Sequence, residues 1–135
     1  MLCVINLEAI KKSLTDTSRL RIVALHSWNK ATHARLKAVL TTLIQENMID
    51  IAIGSGPHIK EQITIVKTSQ GNKILATSLG NFIHPSLSAQ PNNVALQSSW
   101  SFDEQSKVFK LLQVNGIKIS CDGGECVNKG IQRIF

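Results

Sequence analysis

Two histidines stand where apolar runs end. His26 closes "LRIVALH" (20–26), and His58 follows Gly54-Ser55-Gly56-Pro57 at the end of "IDIAIG" (49–54). Imidazoles brought to one place suit a divalent transition metal or a phosphate group. The plainer alternative is that each is a polar strand end in a loop, because two ligands do not make a metal site. Ser55 lies between glycines but lacks the strand, Gly-x-Ser-x-Gly, helix context of a hydrolase elbow, since "GSGPH" runs into a strand. The same stretch lacks the Lys-Ser/Thr ending and the following helix of a phosphate-binding loop. Of the other histidines, His33 falls in the first turn of a helix and is expected to face solvent, and His84 precedes Pro85 in a loop. Asp50 opens the second apolar run and reads as a strand-start or surface residue.

The elements that must position these groups follow from periodicity. "NLEAIKKSL" (6–14) has Leu7, Ile10 and Leu14 at helical spacing, with Asn6 as cap. "LRIVALH" is a β-branched run, a buried strand by its length and flanks. "THARLKAVLTTLIQENM" (32–48) is the clearest helix. Its apolar stripe is Leu36, Val39, Leu40, Leu43 and Ile44, with Thr32 as cap and Asn47 as terminator. A second short strand at 49–54 completes a βαβ unit, which has parallel strands and a right-handed crossover. That crossover brings the ends carrying His26 and His58 to one edge of the sheet, where open α/β sheets bind ligands. Beyond the Gly-Ser-Gly-Pro-His loop, "QITIVKT" (62–68) and "KILATSL" (73–79) form a hairpin across "SQGN". "VALQSSWSF" (94–102) pairs with "KVFKLLQV" (107–114), and "NGIKISCDGGECVNKG" reads as a turn, a short strand and a loop. The expected class is α/β, a βαβ unit followed by antiparallel strands, in one domain over 1–135 with its C-terminal strands in 94–135.

Composition narrows the function classes. The chain has 135 residues, 43% of them hydrophobic and 18% charged, with a net charge of +6. That is a globular composition with room for one core. No apolar run is long enough to span a bilayer, and the N-terminus lacks the pattern of a signal peptide. The positive charge favours an acidic polymer or a phosphate-containing ligand. The basic residues are scattered and the few aromatics are not interleaved with them, which argues against nucleic acid. Cys3, Cys121 and Cys126 are an odd set. "CDGGEC" could close a disulfide or hold a metal, but two free thiols fit better, because no second pair or nearby histidine completes a zinc set.

Taken together, "RIVALHSWN", a helix, "IDIAIGSGPHIKEQITI" and "NKILATSLGNFI" resemble the C-terminal half of the CapA-type capsule and poly-γ-glutamate biosynthesis proteins, which have a calcineurin-like metallophosphoesterase fold. The resemblance covers roughly residues 5–90. It rests on a Leu-His strand end, a Pro-His after glycine, and an intact Ser-Leu-Gly-Asn-Phe at 78–82. It implies that His26 and His58 are ligands of a divalent metal (Mn, Zn or Fe). It further implies that Asn81, within the loop begun by Ser78, lies near the site, and that Gly54, Gly56 and Pro57 shape the loop holding Ser55 and His58.

The departures from the family pattern carry as much information. Ser55 stands where the family has the first histidine of Gly-His-x-Pro-His, and a hydroxyl is a far poorer ligand than imidazole for these metals. "HSWN" departs from His-Trp-Gly. The family's N-terminal half, which supplies further metal ligands, has no counterpart here, and "INLE" (5–8) runs straight into a helix. Two-metal phosphoester cleavage needs both ions. The expectation is therefore a truncated or degenerate member, inactive alone, with self-association or a partner chain covering the bare sheet. The alternative is a non-catalytic binding or interaction domain that keeps the scaffold without the metal.

Overall fold

The computed structural model describes residues 6–27, 29–80, 93–122 and 125–135. Among these, α1 (Leu7–Ser13) leads into β1 (Ile22–His26), α2 (Lys30–Gln45) and β2 (Ile51–Ser55). A hairpin, β3 (Ile63–Thr68) and β4 (Gly71–Ala76), follows, and then β5 (Asn93–Asp103), β6 (Val108–Asp122) and β7 (Glu125–Arg133). The first sheet has the order β1-β2-β4-β3 and the second the order β5-β6-β7. β1 and β2 pair in parallel around α2, as the βαβ reading requires. The class is mixed α/β, with a mixed sheet and an antiparallel one.

Helix α2 forms because its first turn is capped reciprocally. The Asn29 side chain accepts the Thr32 N–H, and the Thr32 hydroxyl accepts the Asn29 N–H. The cap is thus Asn29, and Thr32 is its capping-box partner, not the cap itself. Lys30 and Ala31 are accordingly helical. The helix stops at Glu46, and Asn47 takes φ 57°, a left-handed conformation that asparagine tolerates.

The buried face of α2 is Leu36, Leu40, Leu43 and Ile44, packed on Ala52 of β2 and on Val23 and Leu25 of β1. Each such leucine contributes about 2 kcal/mol by leaving water. Alternate residues point the other way. Ile51 and Ile53 of β2, Ile74 of β4 and Ile63 and Ile65 of β3 pack with Leu96, Trp100, Leu111 and Val114 of the second sheet. Three layers result: helix, mixed sheet, antiparallel sheet.

Two expectations change. The hairpin does not belong to a separate antiparallel half, because β4 inserts beside β2 in parallel and extends the first sheet. The expected turn at Asn115 and the loop after a short strand are replaced by two long strands: β6 continues through Asn115 to Asp122, with a register shift at Lys118/Ile119, and β7 (Glu125–Arg133) returns along it. Asn-Gly commonly marks a turn, but Gly116 lies within β6, where an added Cβ would sit 3.1 Å from Ile134 and 3.2 Å from Val94. The need for close packing there overrides the local turn signal.

Asp50 also differs from expectation, being 1% exposed. Its carboxylate accepts hydrogen bonds from the Arg21 N–H at 2.9 Å, the Arg21 guanidinium and the Lys73 ammonium. Burial pushes this carboxyl up, but the bonds from Lys73 and Arg21 outweigh it and hold it below its ordinary value. Lys73 is itself fully buried on the α2 side of β4, so neither charge is left uncompensated. No helix of the described residues is long and apolar enough to cross a membrane.

Candidate functional site

The carboxyl edge of the parallel strands gathers most of the singled-out residues. His26 ends β1 and Ser55 ends β2, and the register places them opposite each other. His26 Nδ1 and the Ser55 hydroxyl share a hydrogen bond of 2.9 Å. Both side chains are exposed. Gly54 just before them is tightly enclosed: a Cβ would lie 2.3 Å from the Thr77 carbonyl oxygen and 2.7 Å from Leu36. Only glycine lets β2 approach α2 and the end of β4 this closely.

The loop that follows is built to a fixed shape. Gly56 has φ +138°, and a Cβ there would lie 2.3 Å from the Ser27 carbonyl oxygen and 2.4 Å from its hydroxyl. His58 has φ 62°, a left-handed conformation rare for a residue with a side chain, and it is exposed. Beyond it the loop is pinned twice. The buried Ser78 hydroxyl donates to the Ile59 carbonyl at 2.7 Å, and the Glu61 N–H donates to the Ser78 carbonyl at 2.9 Å. Ser78 is therefore an anchor beneath the loop. Asn81, His84 and Trp28 lie outside the described residues, as do Cys3 and the side chains of Cys121 and Cys126.

Glu61 and His33 are the functional groups that sequence reasoning missed. His33 is 7% exposed instead of facing solvent. Its Nδ1 shares a 2.9 Å hydrogen bond with the Ser27 hydroxyl, and its Nε2 lies 3.1 Å from the Glu61 carboxylate. Glu61 also accepts from the Lys37 ammonium at 2.7 Å and from the Thr77 hydroxyl. Partial burial acts to raise the Glu61 carboxyl, but the bonds from Lys37, Thr77 and His33 prevail and lower it to about 2. The signal for His33 was available: it extends the stripe of Leu36, Leu40 and Leu43 back by one turn. Glu61 left none, because its partners are 28 and 24 residues away.

A pocket of about 320 Å³ opens at this place, lined by Ser27, Asn29, Lys30, His33, Pro57 and Glu61, with Gly56 between. The two histidines expected as ligands, His26 and His58, are not among its lining residues. Among the described residues no group of three or more His, Cys, Asp or Glu side chains is gathered to hold a metal ion. Comparison with protein-family models, with curated proteins and with solved structures finds no match to the chain.

Proposed function

We propose that the chain is a CapA-like protein of capsule or poly-γ-glutamate biosynthesis, of metallophosphoesterase type, in truncated or degenerate form. One observation carries this reading. The parallel pairing sets His26 directly opposite Ser55, and the constrained loop carrying His58 leaves from that same strand end. The motif residues thus share one sheet edge, at the carboxyl ends of parallel strands where α/β proteins bind ligands. The net charge of +6 suits an acidic polymer or a phosphate-bearing ligand.

A divalent metal (Mn, Zn or Fe) fits this edge only in part. Two imidazoles fall short of a full ligand set, and the hydroxyl of Ser55 is a weak substitute that already engages His26 Nδ1. Further ligands would come from a partner chain or a second copy. The outer side of β1 is suited to such a partner. β1 is an edge strand, and Ile22, Ala24 and His26 on the side facing away from α2 are exposed.

The second reading is a binding domain that keeps the scaffold without metal, and the Ser55–His26 hydrogen bond favours it. Calorimetric titration of Mn²⁺ and Zn²⁺ into the wild type and a His26→Ala/His58→Ala double mutant separates the two. Binding that the double mutant loses supports the residual metal site. Equal heats in both proteins, with retained binding of poly-γ-glutamate, would move the assignment to the binding domain.

A further inference from the structure

The pocket beside α2 holds three side chains in a row that the metal reading does not use. Ser27 is 3% exposed, and its hydroxyl lies 2.9 Å from His33 Nδ1. The far side of the same ring, Nε2, lies 3.1 Å from Glu61. Hydroxyl, imidazole and carboxylate in hydrogen-bond sequence are the parts of an activated nucleophile. We propose that Ser27, His33 and Glu61 form a nucleophile, base and orienting carboxylate for acyl transfer from a short-chain carboxylic ester bound in this pocket.

The proton inventory supports these roles. The Glu61 carboxylate only accepts, so in the neutral imidazole the proton sits on Nε2 and faces it. Nδ1 then presents a lone pair to the Ser27 hydroxyl. The fold holds each member independently. The Ser27 N–H donates to the Ser55 carbonyl at 2.9 Å, which fixes the backbone beside the nucleophile. Its hydroxyl has that same carbonyl, at 3.1 Å, as a second acceptor. Glu61, a positioning residue, is held by Lys37 and Thr77. Gly56 supplies the space: any larger residue would meet the Ser27 hydroxyl at 2.4 Å. Lys30, a cation, lines the same pocket. The pocket volume of about 320 Å³ suits an acyl group of a few carbons.

In the reaction, Ser27 Oγ attacks the ester carbonyl carbon while its proton passes to His33 Nδ1. The tetrahedral oxyanion collapses, the C–O bond to the alcohol breaks, and the alcohol leaves with the proton from His33. Water, deprotonated by His33, then attacks the acyl-Ser27 ester and releases the carboxylic acid with the serine restored. No oxidant or metal enters the balance, so this activity stands apart from the metal reading.

The test uses the full chain with p-nitrophenyl acetate and a fluorophosphonate probe, read by p-nitrophenol release and intact mass. One adduct per chain, mapped to Ser27, is expected. Ser27→Ala should abolish it, and His33→Gln should slow acylation at least about a hundredfold. Glu61→Gln should slow acylation while leaving the apparent ester affinity unchanged, and Glu61→Asp should restore part of the rate. Thermal melts of each variant separate unfolding from lost chemistry. No adduct on the folded wild type, or one that persists in Ser27→Ala, overturns the proposal whatever the variants do.

Discussion

At the scale of single residues, Glu61 has the most consequences. It joins α2, through His33 and Lys37, to the loop after β2 and to Thr77 beyond β4. Its carboxyl is lowered from 4.5 to about 2 in the folded chain. A carboxyl depressed on folding contributes stability that is whole above its unfolded value and is lost as the pH falls through its folded one. Glu61→Gln should therefore cost about 1–3 kcal/mol at neutral pH, since it removes charge-assisted bonds to Lys37 and His33. That cost should shrink as the pH is taken from about 4.5 towards 2. Urea midpoints of the two proteins across this range measure it, and a difference independent of pH would refute the assignment. Glu61 was invisible in the sequence because its partners belong to distant elements. The edge position of His26 was legible, because an apolar strand ending in a polar residue is a local pattern.

At the scale of elements, local rules succeeded where the neighbouring chain was not needed. The Asn6 cap of α1, the terminator Asn47, the pairing of β5 with β6 and the parallel pairing of β1 with β2 agree with the sequence reading. But β1 is not the buried strand expected: its residues alternate between exposed and half-buried, because it lies at the sheet edge with only one face against α2. The cap of α2 lies three residues before the expected one, because Thr32 and Asn29 are both good caps and only the reciprocal bonds distinguish them. Asn29→Ala should lower stability by about 1 kcal/mol, read as a fall in melting temperature. Thr32→Ala removes one half of the box and should cost less. A larger loss for Thr32→Ala would show that the capping box does not set the helix start. β7 was missed because strands of this kind are defined by their partner: "ECVNKGIQR" has little alternation of its own but pairs along β6 from Asp122 to Asn115.

For the whole molecule, the layers explain both what is stable and what is exposed. Sheet order leaves β1 at an edge, with Ile22 52% exposed on the side facing away from α2. The second sheet presents Leu112, Val127 and Ile131 to solvent. Apolar surface of this kind beside an open edge favours association. Sedimentation at increasing concentration should show a growing dimer fraction, and Ile22→Lys should reduce it. A single monomeric species throughout would place the covering partner elsewhere. The sequence indicated an incompletely covered sheet but not which strand would be bare, since that depends on β4 inserting beside β2.

That insertion also governs how the molecule opens. β2 and β4 are interior strands whose residues feed both apolar clusters, Ala52 and Leu75 on one side, Ile51 and Ile74 on the other. Freeing their amides requires both the helix and the second sheet to separate from them, whereas no described side chain of β7 belongs to either cluster. Hydrogen–deuterium exchange should therefore sort the strands in steps. Residues 125–133 should exchange early, β5 and β6 next, and 51–54 with 73–76 only in the rare event that the entire chain unfolds.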